Sequence, residues 1–232
     1  MERFAPNAQL DAGTLLAHPQ GFTLRRSVVI ATAGFTAALG AMTLPRCGVR
    51  QGDGELLVTD AAGDFGPIAV ALLGGMCDHV VGSTSRSHQA AYLKALATAS
   101  IADRNQFRLP GKPLHSERWA GVVDTGGSHT LVNASAQTRF NGAVVACGLA
   151  GGSDFHGTMG PFILRGVTLY GISEILNPDS QRRKAWTLLA QHTDTAKLES
   201  MTHEIRLTQV VDRAPDTSAD NVRGRLMVDV NR

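Results

Sequence analysis

Nine residues, Val58-Thr59-Asp60-Ala61-Ala62-Gly63-Asp64-Phe65-Gly66, have the composition of a turn that brings main chain against phosphate. They follow one apolar run and open another, which is where a dinucleotide fingerprint lies between a strand and a helix. Gly63 lets the backbone approach a diphosphate, Gly66 lets helix and strand pack closely, and Ala61 stands in the first glycine slot. Ala61, Gly63, Phe65 and Gly66 are the candidate contacts of this turn, with the helix N-terminus presenting N–H groups to the anion. Glycine-rich turns of this kind also form without a ligand, so the next strand matters. It ends in Ser83-Thr84-Ser85-Arg86. An acidic residue here would favour NAD, whereas Thr84, Ser85 and Arg86 suit a ribose 2′-phosphate through charge-assisted hydrogen bonds. A surface arginine near a helix start is the plainer alternative. Together the two segments point to NADP(H). Asp60 and Asp64 run against that reading. A carboxylate about 4 Å from a diphosphate charge costs about 4 kcal/mol at an effective dielectric near 20, before relaxation.

Other chemistry is thinner. Asp154 and His156 in the segment GGSDFHG have the types of an acid–base pair, but a polar loop after a strand explains them equally. The remaining histidines show no metal-ligand spacing, and Cys47, Cys77 and Cys147 form neither a CxxC pair nor an even framework, so no metal is expected. Lys112 is followed by Pro113, which excludes a P-loop, and no G-x-S-x-G nucleophile elbow occurs.

The elements that would position these residues alternate regularly. Short apolar runs at 55–60, 79–84, 100–103, 119–125, 143–151 and 167–172 read as strands. Helical patterns lie between several of them, and a longer helix capped by Thr23 runs from Leu24 to about Met42. This predicts an α/β fold with a doubly wound parallel sheet. A helix over 179–192, a weaker one near Pro215 and strands in EIRL and GRLMVDV follow. The 232 residues suit one large domain, and 43% hydrophobic with 18% charged residues excludes a disordered chain. The net charge of +2 and the absence of a basic block give no support to a nucleic-acid partner. No unbroken run of 18 apolar residues suggests a membrane span, and the N-terminus lacks a signal-peptide pattern, so a cytoplasmic location is expected.

These segments resemble the zinc-free medium-chain dehydrogenase/reductases, within them the quinone-oxidoreductase-like group that includes acrylyl-CoA reductases. The resemblance rests on residues 32–37, the VTDAAGDFG turn, Thr84-Ser85-Arg86, residues 118–125, the CGLAGG segment at 147–152, PFILRGV at 161–167 and VRGR at 222–225. It implies a Rossmann-type NADP-binding domain over 23–175, a remnant of a catalytic domain at 1–22, and a return segment at 176–232 belonging to an incomplete GroES-like domain. It further implies NADPH-dependent reduction of an activated C=C bond in an enoyl thioester or enone. By the same resemblance Arg104 lies near the adenosine, while Thr32, Leu149 and Ile163 line the nicotinamide side. A homodimer through the strand at 167–172 is implied as well. The family usually carries glycine where this chain has Asp60 and Asp64, and most of its N-terminal catalytic domain has no counterpart here. Impaired turnover is therefore expected, the alternative being a non-catalytic NADP-binding or dimerisation module. The C-terminal strands are expected to lack their usual partners.

Overall fold

The computed structural model describes residues 5, 7–17, 19–77, 79–218 and 222–231. After an irregular start, Thr23 caps a long helix, α1 (Leu24–Arg46), by accepting a hydrogen bond from the Arg26 N–H at 3.2 Å. The helix is kinked at Ala31, whose φ of 37° and ψ of −143° are not helical. The chain then alternates: β1 (Glu55–Val58), α2 (Gly66–Gly74), β2 (Val80–Thr84), α3 (Ala90–Leu96), β3 (Thr98–Asp103), β4 (Trp119–Asp124), α4 (Ser128–Ala136), β5 (Thr138–Ala146), α5 (Gly160–Arg165) and β6 (Thr168–Gly171). All six strands are parallel, in the order β3-β2-β1-β4-β5-β6. The strand order reverses between β1 and β4, the switch point at which open α/β sheets bind ligands. This is the doubly wound, Rossmann-type sheet expected from the alternation.

Both faces of the sheet are covered, which is why its strands read as nearly continuous apolar runs. Leu56 and Val58 face one layer, built from α1, α2 and α3, while Leu57 points into the other with Trp119, Val122, Leu131 and Val144. In α1 an 18-residue window reaches a mean hydropathy of 1.7, long and apolar enough to cross a membrane by length and composition. This corrects the expectation drawn from unbroken runs. Isolated polar residues interrupt such a run without lowering the average enough, and 72% of the window is buried in this fold.

The tail continues through α6 (Asp179–His192), α7 (Thr195–Ser200), β7 (Thr202–Arg206), α8 (Val210–Ser218) and β8 (Arg225–Asp229). The two C-terminal strands form a sheet of their own, paired in parallel from Thr202 opposite Arg225 to Arg206 opposite Asp229. Three elements differ from the sequence reading. β5 starts at Thr138 because Trp119 pairs with that residue before a register shift, extending the strand through polar positions. The six-residue helices α5 and α7 are too short to show a helical period, and α7 buries only Leu198.

Candidate functional site

At the switch point the ends of β1 and β4 are joined by side chains. The Thr59 hydroxyl donates to Asp124 Oδ1 at 2.7 Å and accepts from the Thr125 N–H at 3.0 Å. Asp124 is fully buried, and its Oδ2 accepts the Gly127 N–H at 2.7 Å. Burial pushes its carboxyl up to about 6, against the opposing hydrogen bonds from Gly127, Thr59 and Gly126. The Ala150 and Gly151 N–H groups then donate to the Thr125 and Gly126 carbonyls at 3.1 and 2.6 Å, tying the loops after β4 and β5 together. Asp124 is the buried junction of these loops, and sequence reasoning did not single it out as a site residue. Its only signal is one carboxylate closing the apolar run Trp119–Asp124.

The glycine turn lies beside this junction. Asp60 takes a left-handed φ of 50°, and the Ala61 N–H donates to the Ser83 carbonyl at 2.8 Å, tying β1 to β2. A Cβ on Gly66 would run into the Asp60 carbonyl oxygen and Ala61 main chain, so only glycine lets α2 begin this close to the strand. α2 carries Pro67 in its first turn and has no side-chain cap. Its N-terminal N–H groups therefore remain the natural seat for an anion. Ala61 and Phe65 are buried, side chain and main chain together, and shape the turn from beneath.

Arg86 borders the same turn. Its N–H is held by Thr84 Oγ1 at 3.0 Å, while its guanidinium donates to the Ala62 carbonyl at 3.4 Å and the Val222 carbonyl at 3.5 Å. Ser85 is exposed next to it. From the end of β3, Arg104 reaches back so that its Nη1 lies 3.3 Å from Asp60 Oδ1. Asp64 pairs instead with Arg225 of β8 at 3.3 Å. The structure thus gathers Ala61, Gly63, Phe65, Gly66, Thr84, Ser85, Arg86 and Arg104 at the C-terminal ends of β1 to β3. A turn with glycine at its close contacts, an uncapped helix N-terminus and a neighbouring arginine fit a 2′-phosphorylated dinucleotide, with the Asp60 carboxylate as the one opposing group.

The other three candidates occupy separate elements. Thr32 is exposed on α1, and its carbonyl accepts from Thr36, which also donates to Glu174 at 2.9 Å. Leu149, after β5, and Ile163, in α5, are 68% and 72% exposed. Asp154 and His156 do meet, at 2.7 Å, and the Ser128 hydroxyl donates to the same carboxylate at 3.1 Å. The Asp154 carboxyl is held below its usual range by its own N–H first, then by Ser128 and His156. The pair stands on an exposed loop.

No protein-family model matches the chain. Among curated proteins it is 38% identical over 227 residues to the probable acrylyl-CoA reductase AcuI of Escherichia coli, covering 98% of this chain and 70% of that protein. It is 37% identical over 229 residues to the acrylyl-CoA reductase AcuI of Ruegeria pomeroyi, covering 98% of this chain and 69% of that one. Among solved structures, Escherichia coli K-12 YhdH with bound NADPH superposes with a TM-score of 0.95 at 38% identity, over 98% of this chain and 70% of that chain.

Proposed function

This chain belongs to the quinone-oxidoreductase-like family of medium-chain dehydrogenase/reductases, and on that premise we propose that it is an NADPH-dependent reductase of activated carbon–carbon double bonds, of the acrylyl-CoA class. The observation that carries the reading is Arg86 held against a glycine turn whose helix N-terminus has no side-chain cap. NADPH, when bound, supplies the hydride, and the protein supplies position and electrostatics. In this reading α2 and Gly63 seat the diphosphate, Thr84, Ser85 and Arg86 hold the 2′-phosphate, and Arg104 lies by the adenosine. Thr32, Leu149 and Ile163 offer the exposed surface for the nicotinamide half. Asp124 keeps the loops after β4 and β5 in register, so that Leu149 is presented in one orientation.

The test is NADPH titration followed by acrylyl-CoA, with absorbance at 340 nm. Acrylyl-CoA-dependent loss of absorbance is expected, slower than about 1 s⁻¹, the low end of ordinary turnover. Binding without consumption would leave a dinucleotide site and overturn the reductase assignment. A folded chain that does neither would overturn the whole reading.

The same reading includes a homodimer through β6. That strand is the outer edge of the sheet, and every one of its residues is exposed. Leu169, Tyr170, Ile175 and Leu176 add apolar surface along it, with the last two more than 80% exposed. An apolar edge of this kind favours pairing with a second sheet. Light scattering after size exclusion is expected to give twice the 24.5 kDa chain mass, and Leu169→Lys to return the monomer. A monomeric parent chain at micromolar concentration would remove this part of the proposal.

A further inference from the structure

We propose that Asp60 sets the strength of cofactor capture, because its carboxylate acts as a resident anion in the diphosphate seat and competes with the cofactor for Arg104. The inference rests on the dinucleotide reading above and deepens it at one residue.

Three observations place the carboxylate there. The left-handed backbone at Asp60 folds its side chain back over the turn, so that Oδ2 lies 2.6 Å from where a Cβ on Gly63 would stand. The carboxylate therefore covers the very residue whose missing side chain would let a diphosphate approach. The other oxygen, Oδ1, lies 3.3 Å from Arg104 Nη1. The two side chains are only 20% and 22% exposed, so water and salt screen the pair less than an ordinary surface ion pair. The third observation is the neighbouring α2 terminus, which lacks a side-chain cap and favours any nearby negative charge.

Asp64 does not share this position. Its side chain is 78% exposed and is drawn toward Arg225. Of the two carboxylates in the turn, Asp60 alone is enclosed with a cation that the cofactor would also use. A dinucleotide entering this site must either displace the carboxylate from Arg104 or lie beside it. Both routes cost affinity, and the charge repulsion falls mainly on ligands that carry a diphosphate. Adenosine 2′-monophosphate lacks the diphosphate but keeps the phosphate assigned to Arg86, so it reads the rest of the site.

The experiment is calorimetric titration of NADPH and of adenosine 2′-monophosphate into the parent chain and into Asp60→Asn. Asparagine keeps the side-chain shape and tolerates the left-handed backbone, and Asp60→Gly serves as a second variant that accepts it without strain. Both variants are expected to bind NADPH about tenfold tighter or more, and to bind adenosine 2′-monophosphate within about twofold of the parent chain. Arg104→Ala is expected to weaken NADPH more in the Asp60→Asn background than in the parent chain, because only there is the guanidinium released from its internal partner. NADPH affinity unchanged or reduced in both variants, with adenosine 2′-monophosphate still bound, would overturn the role of Asp60 while leaving the dinucleotide site standing. Failure of both ligands on every folded variant would overturn the site itself and this inference with it.

Discussion

Arg86→Ala is expected to erase the preference for NADPH over NADH. NADPH affinity should fall about 30- to 100-fold, while NADH stays within about threefold. That loss is about 2–2.7 kcal/mol, the size of one charge-assisted hydrogen bond to the phosphate. The side chain is well placed for that exchange. Its bonds to the Ala62 and Val222 carbonyls, at 3.4 and 3.5 Å, are long and keep the guanidinium at the border of the turn. Arg86→Lys should recover only part of the preference, since a point charge replaces a planar fork. Parallel titrations of both cofactors provide the check. Equal weakening of NADPH and NADH would mean that Arg86 holds the turn in shape and does not read the 2′-phosphate.

The second large effect is on stability. Asp124→Ala is expected to cost about 3–5 kcal/mol, because it strands the Thr59 hydroxyl and the Gly126 and Gly127 N–H groups in a fully buried site. The loops after β4 and β5 should loosen with it. The pH dependence separates this carboxylate from the rest of the chain. Its pKa in the folded protein is pushed up to about 6, above the ordinary 3.8. Between those values the folded state binds more protons than the unfolded one, so the contribution of Asp124 to stability falls as pH rises through the window. By pH 7 the loss amounts to about 3 kcal/mol relative to acid. Asp124→Asn removes the titration, so the difference in stability between parent and variant should change in the parent's favour from pH 7 to pH 5. Urea unfolding at the two pH values measures this. An alanine variant within about 1 kcal/mol of the parent, or a pH-independent difference for the asparagine variant, would contradict the account.

The two enclosed carboxylates both stand at the switch end of the sheet. Asp124 organises the end of the sheet where ligands bind, and Asp60 stands in the anion seat of the glycine turn.

Much of this architecture is written locally in the chain. Buried parallel strands need apolar residues on both faces, so Leu56, Leu57 and Val58, or Val122 and Val123, announce strands without any partner in view. The turn is legible because main-chain crowding at Gly66 admits no larger residue, and Arg86 because its position after a strand carries a charge of the right sign. What the chain alone could not disclose depends on residues far apart being brought together. Arg104 meets Asp60 across 44 positions, and Arg225 meets Asp64 across 161. Thr59 reaches Asp124 across 65, converting a lone acidic residue into the buried acceptor that joins two loops. β7 and β8 find each other only after α8 returns the chain. Local periodicity records which face of an element is buried. The identity of the group that meets a charge is set by the path of the chain between them, and no spacing rule encodes that path.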